Sequence, residues 1–136
     1  MRVHFVRPYE EEIRTQVSGS LAAAGLAVGR IFGPDEPLSA LLVWLGSHPR
    51  DGLCIPYNPG TGGSGVDVVA GVMAKYPHFR TVMPVRETTA DTVATELRER
   101  LSTIRGAIAD HVLPMRVEDI LAPAGVRRIR THFGLS

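Results

Sequence analysis

Three features of this sequence predict an α/β fold built on a five-stranded parallel sheet. Short segments rich in Val, Ile, Leu and Phe alternate with segments whose apolar residues recur at helical spacing. Gly and Pro residues separate the two kinds of segment. Strands that alternate with helices favour a parallel sheet covered on both faces, and five of each in 136 residues are typical of a flavodoxin-like three-layer sandwich.

The strand segments are short, and the helices between them are amphipathic. We assign strands to residues 2–6, 26–32, 52–56, 79–85 and, briefly, near 111–113. The apolar stripes of helices one to four begin at Ile13, Leu38, Val66 and Val93. The chain beyond the fifth strand is helical, with an interruption at residues 122–125.

Glycine and proline set several predicted boundaries. Gly25 ends the first helix, because glycine readily leaves the helical conformation. Pro84 and Pro114 end the fourth and fifth strands, because proline has no N–H to donate to a neighbouring strand. The apolar stripe of helix four continues to Ile104, which predicts a longer helix than usual there. Trp44 lies on an almost wholly apolar helix and is predicted to belong to the core, with a partner surface as the alternative.

Length and composition exclude several classes of protein. A chain of 136 residues has room for one domain, residues 1–136, and its net charge of +1 gives no electrostatic reason for strong nucleic-acid or membrane binding. One cysteine excludes a disulfide framework and a Cys-rich zinc site, and the five histidines lack metal-ligand spacing. We therefore expect no metal and no cofactor. No apolar stretch reaches the roughly 18 residues that span a bilayer, and no signal peptide is present, so we expect a cytoplasmic location.

In a parallel sheet, functional residues lie on the loops after the carboxyl ends of the strands. These loops are residues 7–12, 33–37, 56–65, 84–90 and 114–118. No acidic and basic side chains are paired near the glycine-rich loop at residues 56–65, which favours binding over catalysis. We therefore predict that the chain is not an enzyme.

The loop after strand three is a candidate ligand-binding site. Gly60 to Gly65 match the G-x-G-x-x-G spacing, in which backbone N–H groups approach a phosphate at a helix N-terminus. Glu87 follows the next strand, about where a ribose-binding acid would fall. The candidate residues are Asn58, Gly60, Thr61, Gly62, Gly63, Ser64, Gly65 and Glu87. Three interpretations stay open: a sensor loop for a nucleotide or another small anionic ligand, a flexible loop without a ligand, and a loop that a partner orders on contact.

Four segments of the chain share the order and spacing of a known family. They are the first strand and helix (residues 3–14), the approach to strand three (residues 48–55), the glycine-rich turn that begins at Pro59, and residues 109–114. Together they resemble a bacterial response-regulator receiver domain over almost the whole chain. The resemblance implies a signal-transduction domain whose family uses carboxylates to hold Mg²⁺, an aspartate as phosphoacceptor and a lysine beside the phosphoryl group.

The residues that carry this chemistry in the family are absent from the matching positions. The acidic pair falls on Arg7 and Pro8, the phosphoacceptor on Pro56 and the lysine near Leu113. Residues 10–12 are glutamates, but acids in a first helical turn are favoured by the helix dipole alone. The resemblance and its departures imply a degenerate, phosphorylation-independent receiver, or pseudo-receiver, that regulates through protein–protein contacts.

The resemblance also implies an interaction surface. In receivers, the face formed by helix four, strand five and helix five commonly makes homodimer or effector contacts. The matching candidates here are Arg98, Arg105, Arg116 and Glu118. We expect a protein partner, in the simplest case a second copy in a homodimer. A basic cluster at residues 127–130 has no DNA-binding motif beside it, which argues against nucleic-acid binding by this domain alone.

Overall fold

A computed structural model describes residues 1–57 and 64–135, and it contains the predicted sandwich. Within those residues, five parallel strands form one sheet in the order β2-β1-β3-β4-β5. The strands are β1 (Arg2–Val6), β2 (Ala27–Phe32), β3 (Gly52–Cys54), β4 (Thr81–Val85) and β5 (Val112–Arg116). The helices are α1 (Glu11–Ala23), α2 (Leu38–Gly46), α3 (Gly65–Lys75), α4 (Ala90–Leu101), α5 (Val117–Ile120) and α6 (Pro123–His132). This strand order is that of flavodoxin-like folds, so the predicted fold class is confirmed.

Helices cover both faces of the sheet and divide the core into two layers. On one face, α1, α5 and α6 bury Phe5, Leu21 and Ile129. On the other face, α2, α3 and α4 pack around Leu45 and Met73. The central strands β3 and β4 are buried along their whole length, as expected for a parallel sheet covered on both sides. No helix in the described ranges has the length and apolar character needed to cross a membrane.

Side-chain caps and a proline fix where several helices begin. The Ser64 hydroxyl accepts a hydrogen bond from the Val66 N–H at 3.0 Å at the start of α3. The Thr89 hydroxyl accepts one from the Thr92 N–H at 3.1 Å at the start of α4. Such caps satisfy amide groups that have no partner within the helix. Pro123 opens α6, where its missing N–H breaks no helical hydrogen bond.

Pro84 and Pro114 lie inside strands, although each is predicted from the sequence to end its strand. β4 continues past Pro84 to Val85, the last residue of the assigned range, and β5 continues past Pro114 to Arg116. The prediction that these prolines end their strands is therefore wrong. β5 is an edge strand, where a proline need not remove a hydrogen bond between strands. Pro84 lies beyond the last β3–β4 pair, Cys54 with Val82, and its carbonyl still accepts a hydrogen bond from the Tyr57 N–H at 3.0 Å. β3 also ends at Cys54, short of the predicted residue 56.

Helix α4 is shorter than predicted. It ends at Leu101, and the predicted stripe residue Ile104 lies in the turn that follows. The hydroxyl groups of Ser102 and Thr103 donate to main-chain carbonyl groups three residues earlier, at 2.7 and 3.0 Å. Bonds of this kind compete with continuation of a helix. α4 is therefore an ordinary three-turn helix, and the expected extension is absent.

Candidate functional site

The carboxyl ends of β1 and β3 meet at the edge where the receiver resemblance places its chemistry. Arg7 and Pro8 follow β1, and the buried Pro56 follows β3. Arg7 has a left-handed backbone with φ of 48°, which non-glycine residues rarely adopt. Its N–H donates to the Phe32 carbonyl at 2.7 Å, which ties the turn to the end of β2. At the positions that the resemblance assigns to carboxylates, the described structure thus has an arginine and prolines.

Aromatic and cationic side chains cover the same edge. The Tyr9 hydroxyl donates to the Pro84 carbonyl at 3.2 Å, and the Arg86 guanidinium lies 5.0 Å from the centre of the Tyr9 ring. Arg86 also donates to the Glu10 carboxylate at 3.1 Å. The next two glutamates are exposed in the first turn of α1, as the helix dipole favours. In the described part of the chain, no three His, Cys, Asp or Glu side chains are grouped to hold a metal ion.

A small apolar cleft lies at this edge, between the start of α1 and the strand ends. Its volume of about 10 Å³ is room for about one water molecule, which is too little for a phosphoryl group. The residues that line it are Phe5, Pro8, Tyr9, Ile13, Arg14, Val17, Cys54, Pro56 and Pro84. Burial raises the pKa of the Cys54 thiol, so this side chain behaves as a small apolar group and not as a nucleophile.

The predicted ligand-binding loop is described only at its end. The predicted residues that lie outside the described part are Asn58, Gly60, Thr61, Gly62 and Gly63. Ser64 uses its hydroxyl to cap α3. Gly65 is required by packing, because a Cβ atom there would lie 2.0 Å from the Pro56 carbonyl oxygen. Its N–H donates to the Tyr57 carbonyl at 2.9 Å, and Glu87 is exposed just after β4.

One contact at the carboxyl edge has no signal in the sequence. The Tyr57 hydroxyl donates to the Glu96 carboxylate at 2.5 Å, which joins the end of β3 to the middle of α4. This hydrogen bond, together with burial and the negative charge of Glu96, raises the pKa of Tyr57. The two residues are far apart in the chain, and neither belongs to a recognisable motif. The contact couples the segment before the glycine-rich loop to the helix that flanks β5.

A buried imidazole–carboxylate pair lies nearer the amino ends of the strands. His4 is 1% exposed; its Nδ1 accepts the Arg30 N–H at 2.9 Å, so its Nε2 carries the proton that it donates to Asp51 at 2.8 Å. Burial acts to raise the pKa of Asp51, but hydrogen bonds from His4 and from the Arg2 N–H outweigh it and hold that pKa below its usual value. Both ring nitrogens of His4 are occupied, so the pair holds the sheet together and has no nitrogen left to transfer a proton.

The exposed edge strand β5 forms the floor of a second candidate surface. We define the β5 face as Leu113 and Pro114 with the charged residues beside them, Asp91, Arg98, Asp110, Arg127 and Arg128. It contains an open groove of about 390 Å³ on the α6 side and one of about 240 Å³ on the α4 side.

Charge is divided across the β5 face. Arg127 lines the α6-side groove and Arg128 lines both grooves, whereas Asp91 and Asp110 line the α4-side groove together with Arg98. None of these five takes part in the ion pairs found among the described residues. The basic cluster at residues 127–130 is visible in the sequence and points to the α6 side. No sequence pattern points to the two aspartates. The α6 side is therefore basic, whereas the α4 side combines two aspartates with two arginines.

The structure separates the four interaction residues that the resemblance indicated. Arg98 lines the α4-side groove and donates to the Thr95 hydroxyl at 3.2 Å. Arg116 lies at the end of β5, with its Nε 2.6 Å from the Glu118 carboxylate in an ion pair that lacks hydrogen-bond alignment. Arg105 lies in the turn after α4, toward the amino ends of the strands. The four therefore do not form one patch.

Comparison with known proteins bears on the fold. A search with protein-family models finds no match, and a comparison with curated proteins also finds none. Among solved structures, the chain is similar to the signal receiver domain of a modulated diguanylate cyclase from Desulfovibrio desulfuricans, described as an example of alternate folding. The TM-score is 0.56 at 13% sequence identity, over 98% of this chain and 93% of that chain. At 13% identity this likeness shows a receiver-like fold and nothing beyond the fold.

Proposed function

We propose that this chain is a receiver-like regulatory domain that acts without aspartyl phosphorylation, through contacts with a protein partner. The observation that carries the proposal is the composition of the carboxyl edge. Pro56 occupies the acceptor position implied by the resemblance, and Arg7 and Pro8 occupy the positions of the acidic pair. The description of the structural neighbour as a signal receiver domain supports a signalling role.

The chemistry of phosphotransfer explains why these residues argue against it. An aspartyl phosphate needs a carboxylate acceptor, and Mg²⁺ needs oxygen ligands close together. At this edge the Glu10 carboxylate is paired with Arg86, and the Glu96 carboxylate accepts the Tyr57 hydroxyl group. Arginines at such an edge repel a divalent cation and do not replace its ligands.

A thermal-shift measurement tests phosphorylation independence. We expect no change in melting temperature with Mg²⁺ and beryllofluoride, and no mass increase after incubation with acetyl phosphate. A ligand present at 100 times its Kd would add about 2.7 kcal/mol to the free energy of unfolding, which is easily detected. A clear shift with beryllofluoride, or a mass increase that hydroxylamine removes, overturns the proposal.

We further propose that a second copy of the chain docks on the β5 face. With a two-fold axis along β5 between the copies, α6 of one copy faces α4 of the other. Arg127 and Arg128 of each copy would then approach Asp91 and Asp110 of the other. The arginines of the α6 side and the aspartates of the α4 side support this arrangement, because a two-fold interface must be complementary to itself.

Paired charge reversals test the dimer. We expect Arg127→Glu with Arg128→Glu, and separately Asp91→Arg with Asp110→Arg, to weaken self-association about tenfold or more, measured by light scattering after gel filtration. An equimolar mixture of the two double variants should associate like the wild type, because the reversed charges pair in the mixed dimer. A monomeric wild type at all accessible concentrations, or a mixture that stays monomeric, contradicts the proposal.

The alternative is a small-ligand or nucleotide sensor that uses the loop at residues 58–65. It rests on the match of Gly60 to Gly65 to a phosphate-binding spacing and on the helix that follows. The same thermal-shift measurement, with phosphate and common nucleotides, tests it. Stabilisation by one of these that is lost in Gly62→Val would favour the sensor over the interaction domain.

A further inference from the structure

The amino edge of the sheet carries a row of cations, one near the start of each of four adjacent strands. Arg2 begins β1, Arg50 precedes β3, Arg80 precedes β4 and Arg105 lies in the turn before β5. All four are exposed, and none belongs to an ion pair among the described residues. Because neighbouring strands are about 4.8 Å apart, the row spans roughly 15 Å. We call it the amino-edge row.

The fold alone gives no reason for these charges. Cations stabilise the last turn of a helix, but Arg50, Arg80 and Arg105 all lie beyond the ends of α2, α3 and α4. The loops before β3, β4 and β5 contain two carboxylates, Asp51 and Asp110, and Asp51 is engaged by His4. The edge is therefore positively charged although the whole chain has a net charge of only +1.

Histidines add titratable charge along the same edge. Main-chain carbonyl groups lie 2.8–3.0 Å from ring nitrogens of His48, His78, His111 and His132. A carbonyl group only accepts, so the nitrogen facing it carries a proton in the neutral and the charged ring alike. The other nitrogen can take up a proton without loss of that hydrogen bond.

Charged side chains lie near three of these rings. Asp51 lies near His48, and Asp110 adjoins His111 in the chain, so both rings have an acidic neighbour. Burial lowers the pKa of His132, and the charges of Arg80 and His111 act in the same direction.

We infer that the amino-edge row binds an acidic segment of a partner protein, because charge complementarity selects such a partner. A linear row suits an extended chain, whose successive residues rise about 3.3 Å. Nucleic acid fits less well, because no Phe, Tyr or Trp in the described ranges is exposed for base stacking. The four arginines of the amino-edge row, Arg105 among them, do not belong to the β5 face.

A labelled octaglutamate peptide tests the inference by fluorescence polarisation at low salt. We expect Arg50→Glu with Arg80→Glu to weaken binding about tenfold, whereas the β5-face variant Arg127→Glu with Arg128→Glu, a matched reversal of two exposed arginines, binds like the wild type. Amide resonances of residues 50, 80 and 105 should shift in NMR titrations. Equal binding by both variants, or no binding by the wild type, overturns the inference.

Further measurements distinguish an acidic protein segment from other polyanions and from a second copy of the chain. Tighter binding of an eight-residue oligothymidylate, or of vesicles containing phosphatidylserine, would overturn the choice of an acidic protein segment. Reduced self-association of Arg50→Glu with Arg80→Glu would instead identify a second copy as the occupant.

Discussion

Gly65→Ala should destabilise the fold, because its position has no room for a methyl group. A Cβ atom there would lie 2.0 Å from the Pro56 carbonyl oxygen and 3.1 Å from the Tyr57 Cα, and both are main-chain atoms. Overpacking costs about 1–3 kcal/mol, and loss of the Gly65–Tyr57 hydrogen bond would add about 0.5–1.5 kcal/mol. Replacing glycine within a helix returns at most about 1 kcal/mol. The free energy of unfolding should therefore fall by about 2 kcal/mol.

Gly19→Ala is the matched control, because nothing lies within 4 Å of a Cβ atom at that exposed position in α1. It should raise the free energy of unfolding by up to about 1 kcal/mol through helix propensity. Urea denaturation followed by circular dichroism measures both, and in a chain of this size 1 kcal/mol is about 3–5 °C in Tm. An unchanged midpoint for Gly65→Ala would refute the packing argument and return Gly65 to the ligand-binding interpretation.

Three further substitutions test individual contacts. Burial lowers the pKa of His132, so the unfolded chain binds more protons than the folded chain between that pKa and about 6.5. The free energy of unfolding therefore falls as the pH falls through this window. His132→Gln should flatten this dependence in urea titrations at several pH values, and an unchanged slope would contradict it. Asp51→Ala should cost about 2 kcal/mol, because the buried His4 Nε2–H loses its acceptor, and Asp51→Asn should recover much of the loss. Tyr57→Phe should cost about 1 kcal/mol by removing the hydrogen bond to Glu96, and the ultraviolet titration of Tyr57 in the wild type should lie above that of free tyrosine; an ordinary titration would mean that the bond does not form in solution.

Local sequence was sufficient for the type and order of the elements, because helical and strand periodicity persist over whole segments. It failed where tertiary position decided the outcome. Pro84 and Pro114 locally predict strand ends, but a proline is compatible with a strand where no neighbour needs its N–H. The apolar stripe through Ile104 suggested more helix, but Ser102 and Thr103 have hydroxyl groups that compete for the backbone at that point.

The candidate sites were less accessible to sequence reasoning than the fold. A family resemblance located the carboxyl edge, since the loops after the strands follow from element order alone. The Tyr57–Glu96 hydrogen bond and the set of charges on the β5 face depend on which side chains meet across different elements. The spacing of residues along the chain does not predict those contacts. Arg105 shows the difference: the resemblance grouped it with Arg98, but the early end of α4 places it in the turn at the amino edge.

A parallel sheet also explains why net charge is a poor guide to the surfaces of this molecule. Every loop that follows a strand lies at one end and every loop that precedes a strand lies at the other, so the topology sorts charges that the sequence mixes. The carboxyl end contains Arg7, Arg86 and Arg116 but also the glutamates of residues 10–12, Glu36 and Glu118, whereas the amino end presents the amino-edge row. A chain with a net charge of +1 is therefore polarised along its strands. Two such ends attract one another at low salt, so the octaglutamate titration must be compared with the self-association of the same variants. Only a variant that no longer binds the peptide but keeps its own oligomeric state assigns the amino edge to a different protein.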